Sequence, residues 1–203
     1  MTNQDISLSN DWLETWKSFY DPETKLESED PNAVCVSSVD EAGMPNARFV
    51  LLKDVSEIGF LFYTNLESQK GIELFANKNA ALTWWSRKQS KSVRVQGIIE
   101  QVSDLLADQY WKTRSVDAQV SASISKQSRI VSSREQMEVE WIDFKKSYEG
   151  KDIPRPSHWS GIYIKPTKIE FWQAIPGEYT TRLHDRIVYS LNEGQWTTER
   201  LYP

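Results

Sequence analysis

The sequence contains few of the residues that build metal sites and disulfides. It has one cysteine, Cys35, and two histidines, His158 and His184, among 203 residues. A single cysteine excludes an intramolecular disulfide and is typical of proteins that fold in a reducing compartment. Cys35 lies in an apolar segment, where a free cysteine usually packs in the core. We therefore expect a cytoplasmic protein without a zinc site made of histidine and cysteine.

Glycine is also scarce. The 8 glycines are too far apart to form G-x-G-x-x-G or a P-loop, which excludes the two common nucleotide-binding fingerprints. The sequence has no G-x-S-x-G motif, so nothing indicates a serine hydrolase. An enzyme with so little catalytic apparatus of its own would need a bound cofactor to supply the chemistry.

Long apolar runs and an excess of basic residues are absent too. The longest apolar runs, such as residues 49–52, fall far short of the roughly 20 residues that cross a bilayer. The first residues lack a basic region followed by an apolar stretch, so we expect no secretory signal. The net charge of −5 and the pI near 5.2 disfavour binding to nucleic acid by general electrostatic attraction. We expect neither nucleic acid nor membrane as a partner, although a local basic cluster could still bind a phosphate.

The hydrophobic pattern that is present changes its period along the chain. Residues 8–20 have helical spacing with Asn10 or Asp11 as the N-cap, and residues 21–31 are predicted to form a loop. Strands are predicted at residues 33–39, 48–53, 60–63, 80–87, 92–102, 161–165, 169–172, 186–190 and 195–201. Helices are predicted at residues 68–77, 103–114 and 133–148.

This order of elements predicts the fold class. The strands follow one another too closely for parallel crossover connections. The pattern therefore favours an α+β fold with an antiparallel sheet that could close into a barrel, with helices around it. We divide the chain into an N-terminal helix and arm, residues 1–29, and a single domain, residues 30–203.

Two segments near the middle of the sheet combine cations with strand ends. In RFVLLK, Arg48 and Lys53 flank an apolar strand, and each could hold an anion, although this segment alone favours solvated charges beside a buried strand. In YTNLESQK, a strand ends and a helix is predicted to begin near Ser68. Backbone N–H groups, the Ser68 hydroxyl and the Lys70 ammonium would together suit a phosphate, although an ordinary capped helix has the same residues.

Two further segments are polar or charged. SKQSR at residues 125–129 is on its own typical of a surface loop or a helix cap. In RLHDR at residues 182–186, the planar guanidinium of Arg182 could stack on a ring or hold a phosphate, and His184 could donate or accept a hydrogen bond. A solvated hairpin would also explain these charges, but the preceding Trp172 and the apolar flanks favour a functional role.

Taken together, these segments resemble the pyridoxamine 5′-phosphate oxidase family. The matching strings occur in the family's order: R-x-VLLK at 48–53, FYTN at 62–65, S-x-K at 68–70, SKQS at 125–128, IEFWQ at 169–173 and RLHDR at 182–186. The final RLYP at 200–203 is similar to the family's usual ending. The resemblance extends from about Asp30 to the C-terminus, and RLHDR is its most specific string.

The resemblance implies an FMN-binding split β-barrel and a homodimer with active sites at the subunit interface. It implies that FMN is held by Arg48, Val50, Leu51, Lys53, Tyr63, Thr64, Ser68, Lys70, Gln127, Ser128, Trp172 and Arg186. The implied substrate-binding residues are Lys53, Tyr110, Arg114, Arg182 and His184, of which Arg182 and His184 act as catalytic residues against the pyridine ring. The implied reaction oxidises pyridoxamine or pyridoxine 5′-phosphate to pyridoxal 5′-phosphate and reduces O2 to H2O2.

The sequence departs from the family's pattern at several places. Gln69 stands where a second basic residue is usual, Ser92 where a glutamine is expected, and Ala118 where a serine helps to hold the substrate phosphate. Ser160 replaces a glycine, and residues 174–181 form a longer connection than is usual. These departures leave two alternatives open: a flavin oxidase of another ring substrate, of the phenazine-biosynthesis type, and a non-catalytic FMN or pyridoxal phosphate binding protein.

Overall fold

The computed structural model describes residues 6, 9, 11–25, 30–175 and 183–203. The helices of these residues are α1 (Trp12–Lys25), α2 (Gln69–Ala76), α3 (Asp104–Lys112), α4 (Val116–Ile124) and α5 (Arg134–Ser147). The strands are β1 (Ala33–Val39), β2 (Pro45–Ser56), β3 (Gly59–Asn65), β4 (Asn79–Ser86), β5 (Lys91–Gln101), β6 (Trp159–Gln173), β7 (Asp185–Asn192) and β8 (Gln195–Arg200).

The strands form one antiparallel sheet that closes on itself. Their order is β3-β2-β1-β4-β5-β6-β7-β8, and β3 also pairs with β6. The first half of β6 pairs with β3 and the second half with β7, so β1 to β6 close into a barrel and β7 and β8 extend beyond it. The predicted α+β class with an antiparallel split barrel and surrounding helices is confirmed.

The prediction of two separate strands at 161–165 and 169–172 is wrong, because β6 runs without interruption from Trp159 to Gln173. Pro166, which lies between the two predicted strands, is opposite Gly97 at a register shift between β5 and β6. A proline lacks the N–H that a regular ladder needs, and it is tolerated where the ladder is already irregular. A side chain at Gly97 would meet the Lys165 carbonyl oxygen at 2.2 Å, so this irregularity also requires glycine.

Helix α1 closes one end of the barrel with aromatic side chains. Trp16 packs edge-on against Phe60 and Trp84, and Phe19 packs against Phe171. The N-cap prediction is confirmed at Asp11, whose carboxylate accepts a hydrogen bond of 2.8 Å from the Leu13 amide. The prediction that the helix ends at residue 20 is wrong, because α1 continues through Pro22 to Lys25.

A second cluster of buried residues lies outside the barrel, beneath the helices. It contains Trp111 of α3, Val120 of α4, Trp159 of β6 and Ile153, which lies between α5 and β6. The sequence interpretation did not include α4, whose N-cap is Ser115, with its side chain accepting a hydrogen bond from the Ala118 amide. None of the helices in the part of the chain that the structure describes is long and apolar enough to cross a membrane.

Candidate active site

The N-terminus of α2 forms a cationic site where β3 ends. Ser68 is the N-cap of α2, as predicted. The Lys70 ammonium donates hydrogen bonds to the Thr64 hydroxyl (3.2 Å), the Ser68 hydroxyl (3.2 Å) and the Gln127 side-chain oxygen (2.6 Å). The structure thus brings together four of the residues predicted to bind the cofactor. Burial, with a smaller contribution from the Arg48 charge, lowers the pKa of Lys70 to about 8.

The guanidinium of Arg48 is held at the same site by buried acceptors. It donates to the Ser38 hydroxyl at 2.6 Å and to the Glu73 carboxylate of α2 at 3.2 Å. The Glu73 carboxylate also accepts from Ser38, from the Asn46 amide at 2.8 Å and from the Gln69 amide at 2.9 Å. Burial by itself would raise the pKa of Glu73, but these hydrogen bonds and the Arg48 charge lower it below its usual value. Glu73 therefore remains a carboxylate.

The remaining predicted residues of β2 lie along the same strand. Val50 packs against the barrel core, whereas Leu51 is exposed. Lys53 is exposed at a register shift, between Leu52, which pairs with Phe62, and Asp54, which pairs with Leu61. A β-bulge of this kind changes the direction of side chains, so it sets where the Lys53 ammonium points.

Tyr63, Tyr110 and Trp159 form a stack of nearly parallel rings. The Tyr63 and Tyr110 rings are 4.0 Å apart at 11°, and the Tyr63 and Trp159 rings are 5.0 Å apart at 14°. This contact joins a predicted cofactor residue on β3 to a predicted substrate residue on α3. Burial, followed by the nearby Tyr110, Tyr163 and Asp54, raises the pKa of Tyr63 to about 12, so its hydroxyl stays protonated.

The Arg114 guanidinium lies over the indole of Trp159, 4.8 Å from the ring centroid. One terminal nitrogen donates to the Ala118 carbonyl at 2.9 Å, and the buried Nε has no hydrogen-bond partner. Among the described residues, no carboxylate forms an ion pair with Arg114. Burial lowers the pKa of Arg114, and Tyr110 partly opposes this change. A partly desolvated cation without a carboxylate is suited to receive an anion.

Gln127 and Ser128 lie in a tight turn between α4 and α5. The Arg129 amide donates to the Lys126 carbonyl at 3.0 Å. Ser128 has a φ of 71°, a left-handed conformation that is uncommon for residues other than glycine. Backbone strain of this kind is often found at binding sites. The turn holds Gln127 against Lys70, and both predicted residues are exposed.

The other predicted residues lie on β6 and β7. Trp172 is paired with Arg186 in the ladder, and its ring lies 4.9 Å from that of His184. The Nδ1 atom of His184 is buried without a hydrogen-bond partner. Arg186 donates to both carboxylate oxygens of the buried Glu170, at 3.3 and 3.0 Å, and to the Tyr202 carbonyl at 3.0 Å. The predicted catalytic residue Arg182 lies outside the described residues.

The predicted residues therefore form two separate groups in one chain. The first group surrounds β2, β3, α2 and α3, and the second consists of Trp172, His184 and Arg186. Tyr63 pairs with Gly161 near the start of β6, whereas Trp172 is near the end of this 15-residue strand. An extended strand rises about 3.3 Å per residue, so the groups are separated by roughly 35 Å along β6.

Sequence reasoning missed the buried residues that hold the predicted ones in place. Glu73 contacts Arg48, Glu170 contacts Arg186, and Trp159 contacts Tyr63, Tyr110 and Arg114. The position of Glu73 four residues after Gln69 on a helix was an available signal, because such residues are neighbours. No local signal connects Trp159 with Arg114, because their contact depends on how β6 packs against α3.

The chain matches two family models. Residues 20–147 match the model described as pyridoxamine 5′-phosphate oxidase. Residues 159–203 match the model described as the C-terminal dimerisation region of pyridoxine 5′-phosphate oxidase. The two matches together span both groups of predicted residues.

Curated relatives are similar to the chain in sequence, and solved structures are similar to it in fold. The chain is 43% identical over 204 residues to pyridoxine/pyridoxamine 5′-phosphate oxidase of Brucella anthropi, covering 100% of the chain and 95% of the relative. It is 42% identical over 189 residues to the protein of the same name from Nostoc punctiforme, covering 93% and 86%. Its fold is similar to that of PhzG from Burkholderia lata, solved with tetrahydrophenazine-1-carboxylic acid, with a TM-score of 0.90, 23% identity and coverage of 97% and 95%. An FMN-binding protein of Nostoc punctiforme related to pyridoxamine 5′-phosphate oxidase has a TM-score of 0.76 at 15% identity, with coverage of 98% and 100%.

Proposed function

The chain belongs to the pyridoxamine 5′-phosphate oxidase family, and we propose that it uses FMN to oxidise pyridoxamine or pyridoxine 5′-phosphate to pyridoxal 5′-phosphate, reducing O2 to H2O2. The observation that carries this proposal is the presence of two separate cationic sites in the first group. One contains Lys70 and Arg48, and the other contains Arg114. Cofactor and substrate are both phosphate esters, so the proposed reaction needs two such sites.

The site at α2 fits the phosphate of FMN. Lys70 and Arg48 supply positive charge, while the Thr64 hydroxyl, which accepts from Lys70, and the backbone at the start of α2 supply hydrogen-bond donors. The buried Ser68 hydroxyl donates to the Asn65 carbonyl and accepts from Lys70, so it holds the ammonium in place. When bound, FMN would supply the two-electron redox chemistry that no side chain of this protein offers. Gln69 points its amide to Glu73 and adds no charge. Because Glu73 is also ion-paired with Arg48, Lys70 carries the charge of this site that no carboxylate of the described residues offsets.

The site at Arg114 fits the phosphate of the substrate. Arg114 has an unpaired Nε, and Tyr110 lies beside it with its ring stacked on Tyr63. Lys53, aimed by the bulge in β2, would complete the set of cations. These residues would fix the phosphate end of the substrate, and Arg182 and His184 would bind and orient its pyridine ring.

The overall reaction balances with O2 alone for the alcohol substrate, and with O2 and one water for the amine substrate. Pyridoxine 5′-phosphate loses two electrons and two protons at its C4′ alcohol, and O2 takes them up as H2O2. Pyridoxamine 5′-phosphate loses the same electrons and protons to give an imine, which water hydrolyses to the aldehyde and ammonia. The chain's own residues contribute binding, orientation and electrostatic stabilisation.

The separation of the two groups supports a homodimer in which each active site combines the first group of one subunit with the second group of its partner. The match of residues 159–203 to a dimerisation region supports the same arrangement. A two-fold symmetric interface brings each surface into contact with the complementary surface of an identical chain. Two equivalent sites would then form for each dimer.

An apolar surface on the outside of the barrel connects the two groups and would suit this interface. Phe49 is 77% exposed, Trp85 is 53% exposed and Leu51 is 43% exposed. Cys35 lies between Phe49 and Thr83 in the ladder. The Trp85 ring is 5.9 Å from that of Trp172, so the surface extends from β2 to the second group. Aromatic residues exposed in this way are typical of protein interfaces.

The proposal is tested with purified protein by recording its visible spectrum and adding pyridoxine 5′-phosphate or pyridoxamine 5′-phosphate in air. We expect a flavin spectrum and equal amounts of pyridoxal 5′-phosphate and H2O2 from pyridoxine 5′-phosphate. A flavin spectrum without turnover of either compound would reject the oxidase. Turnover of a different ring substrate would then support the alternative that the similarity in fold to PhzG suggests, and flavin binding alone would support a non-catalytic role.

A further inference from the structure

Trp159 is the first residue of β6 and lies at the centre of the substrate side of the first group. It is buried. Its ring contacts Tyr63, Tyr110, Trp111 and the Arg114 guanidinium. We propose that Trp159 is a positioning residue that fixes Tyr110 and Arg114 for binding the substrate phosphate. This inference rests on the proposed function, because it assigns a role within the same site.

The first step of the argument is the orientation of the rings. Tyr110 and Trp159 are nearly parallel, at 6° with centroids 6.2 Å apart, and each ring also stacks on Tyr63. Trp111 packs edge-on against Trp159, with centroids 4.9 Å apart. Aromatic pairs in these two geometries are favourable beyond the burial of their area. Trp159 therefore limits the positions that the Tyr110 ring can adopt.

The second step concerns the charge of Arg114. A carboxylate would fix the guanidinium but would also neutralise it, and a phosphate would then have to compete with that carboxylate. The Trp159 indole, 4.8 Å away, holds the cation by a cation–π interaction and leaves its charge available. The hydrogen bond to the Ala118 carbonyl fixes one terminal nitrogen. Trp159 thus replaces an acidic partner at a site that has to bind an anion.

The third step is that Trp159 is itself held firmly. Its amide donates to the Pro156 carbonyl at 3.0 Å, and its carbonyl accepts from Arg155 at 2.9 Å. Arg155 also forms ion pairs with Asp104 and Asp108 of α3. Because α3 carries Tyr110, the start of β6 and the helix with the substrate residue are tied together by both backbone and side-chain contacts.

The test compares Trp159→Leu and Trp159→Phe with wild type, at saturating FMN. We expect Trp159→Leu to raise KM for pyridoxine 5′-phosphate about tenfold, the factor that corresponds to about 1.4 kcal/mol, while kcat changes less than about threefold. Trp159→Phe keeps a flat ring and should remain within about threefold of wild type in both constants, since a phenyl ring also supports cation–π contact. Calorimetry should show the same loss for Trp159→Leu in binding pyridoxal 5′-phosphate, and no loss in binding pyridoxal, which lacks the phosphate.

Trp84→Phe is the matched control, because Trp84 is equally buried but lies in the barrel core. It should reduce the free energy of unfolding without changing KM or phosphate binding. An unchanged KM and an unchanged affinity for pyridoxal 5′-phosphate in folded Trp159→Leu would overturn the inference, as would an equal loss for pyridoxal. A wild-type protein that binds pyridoxal 5′-phosphate but does not turn over would reject the proposed oxidase and leave the calorimetric comparison to decide the role of Trp159.

Discussion

Glu73 of α2 and Arg48 of β2 form an ion pair of 3.2 Å within a buried network. The Glu73 carboxylate also accepts hydrogen bonds from Ser38 of β1, Asn46 of β2 and Gln69 of α2. All of its side-chain partners are therefore donors. Because Arg48 is close enough to Lys70 to lower its pKa, the ion pair holds one of two neighbouring cations in place. The negative charge of Glu73 reduces the repulsion between Arg48 and Lys70, and in this way it stabilises the cationic site.

Replacing Glu73 by glutamine should weaken both folding and FMN binding. The side-chain NH2 group of the glutamine would face side chains that donate hydrogen bonds to Glu73 in the wild type. At least one of these buried hydrogen bonds would therefore be lost. Hydrogen bonds to charged groups contribute about 1.5–3 kcal/mol, and we expect a decrease of this size in the free energy of unfolding, measured in urea. The matched control is Glu138→Gln, which removes an exposed ion pair with Arg134 and should change stability by less than about 0.5 kcal/mol. Unchanged FMN affinity in Glu73→Gln would contradict the role assigned to the pair.

FMN binding should weaken as the pH rises above 8. The pKa of Lys70 is lowered to about 8, so Lys70 is protonated and able to bind a phosphate at pH 7, and it loses its proton in the free protein at higher pH. If only the protonated form binds well, the association constant should fall about fivefold between pH 8 and pH 9. The measurement is quenching of flavin fluorescence on titration of the FMN-free protein.

Two comparisons isolate the contribution of Lys70 to this pH dependence. Lys70→Arg keeps its charge throughout this range, so its affinity for FMN should vary much less with pH. Riboflavin lacks the phosphate, and its binding to wild type should also be insensitive to the state of Lys70. The same slope in wild type and Lys70→Arg would show that another group titrates.

Two inactive variants should restore activity when they form a mixed dimer. Arg114→Ala damages the first group and His184→Ala damages the second. In a heterodimer purified through two different tags, one site would contain both changes and the other neither, so about half of the wild-type rate should return. Arg114→Ala combined with Lys53→Ala is the control, because both changes lie in the first group and no intact site can form. Restoration in the control, or none in the test pair, would argue against sites shared between subunits.

Gly71→Ala should disrupt the cofactor site through a backbone clash. A Cβ atom at this position would lie 2.1 Å from the Leu66 carbonyl oxygen, so the start of α2 would have to move. Overpacking of this kind costs about 1–3 kcal/mol, and the affinity for FMN should fall as well. Gly150→Ala is the comparison. Its φ of 72° is strained for any residue with a side chain, but a Cβ atom there would have no neighbour within 4 Å. It should lower stability by about 1–2 kcal/mol without affecting FMN affinity.

The barrel could be predicted from sequence because its strands correspond to short, regular, β-rich segments that are separated by turns. The errors have physical causes. Pro22 was placed in a predicted loop, and Pro166 lay between two predicted strands. In the structure Pro22 lies within the last turn of α1 and Pro166 lies at an irregularity of the ladder. Helix α4 was missed because VDAQVSASI combines β-branched residues and serines, which have modest helix propensity, and its helical state depends on Val120 packing against Trp111.

For the candidate site, the sequence indicates individual residues but not their arrangement. Charged residues at strand and helix ends could be recognised from their local patterns, and the resemblance supplied the rest. That Tyr63 of β3 lies beside the first half of β6, whereas Trp172 lies in its second half, follows from the closure of the barrel by the β3–β6 pairing. Such a long-range pairing leaves no trace in local periodicity, and neither does the burial of Glu73 or Trp159.

The continuous pairing of β6 on both edges limits how this protein can vary in length. Strands β3 and β7 occupy successive parts of one edge, and β5 pairs along the other. Removing or adding one residue within β6 would move every following side chain to the opposite face, exchanging core residues with those of the second group. Insertions and deletions should therefore accumulate in the connection after Gln173, where the chain can change length without shifting any ladder. Variation there would leave the strand that joins both groups in register.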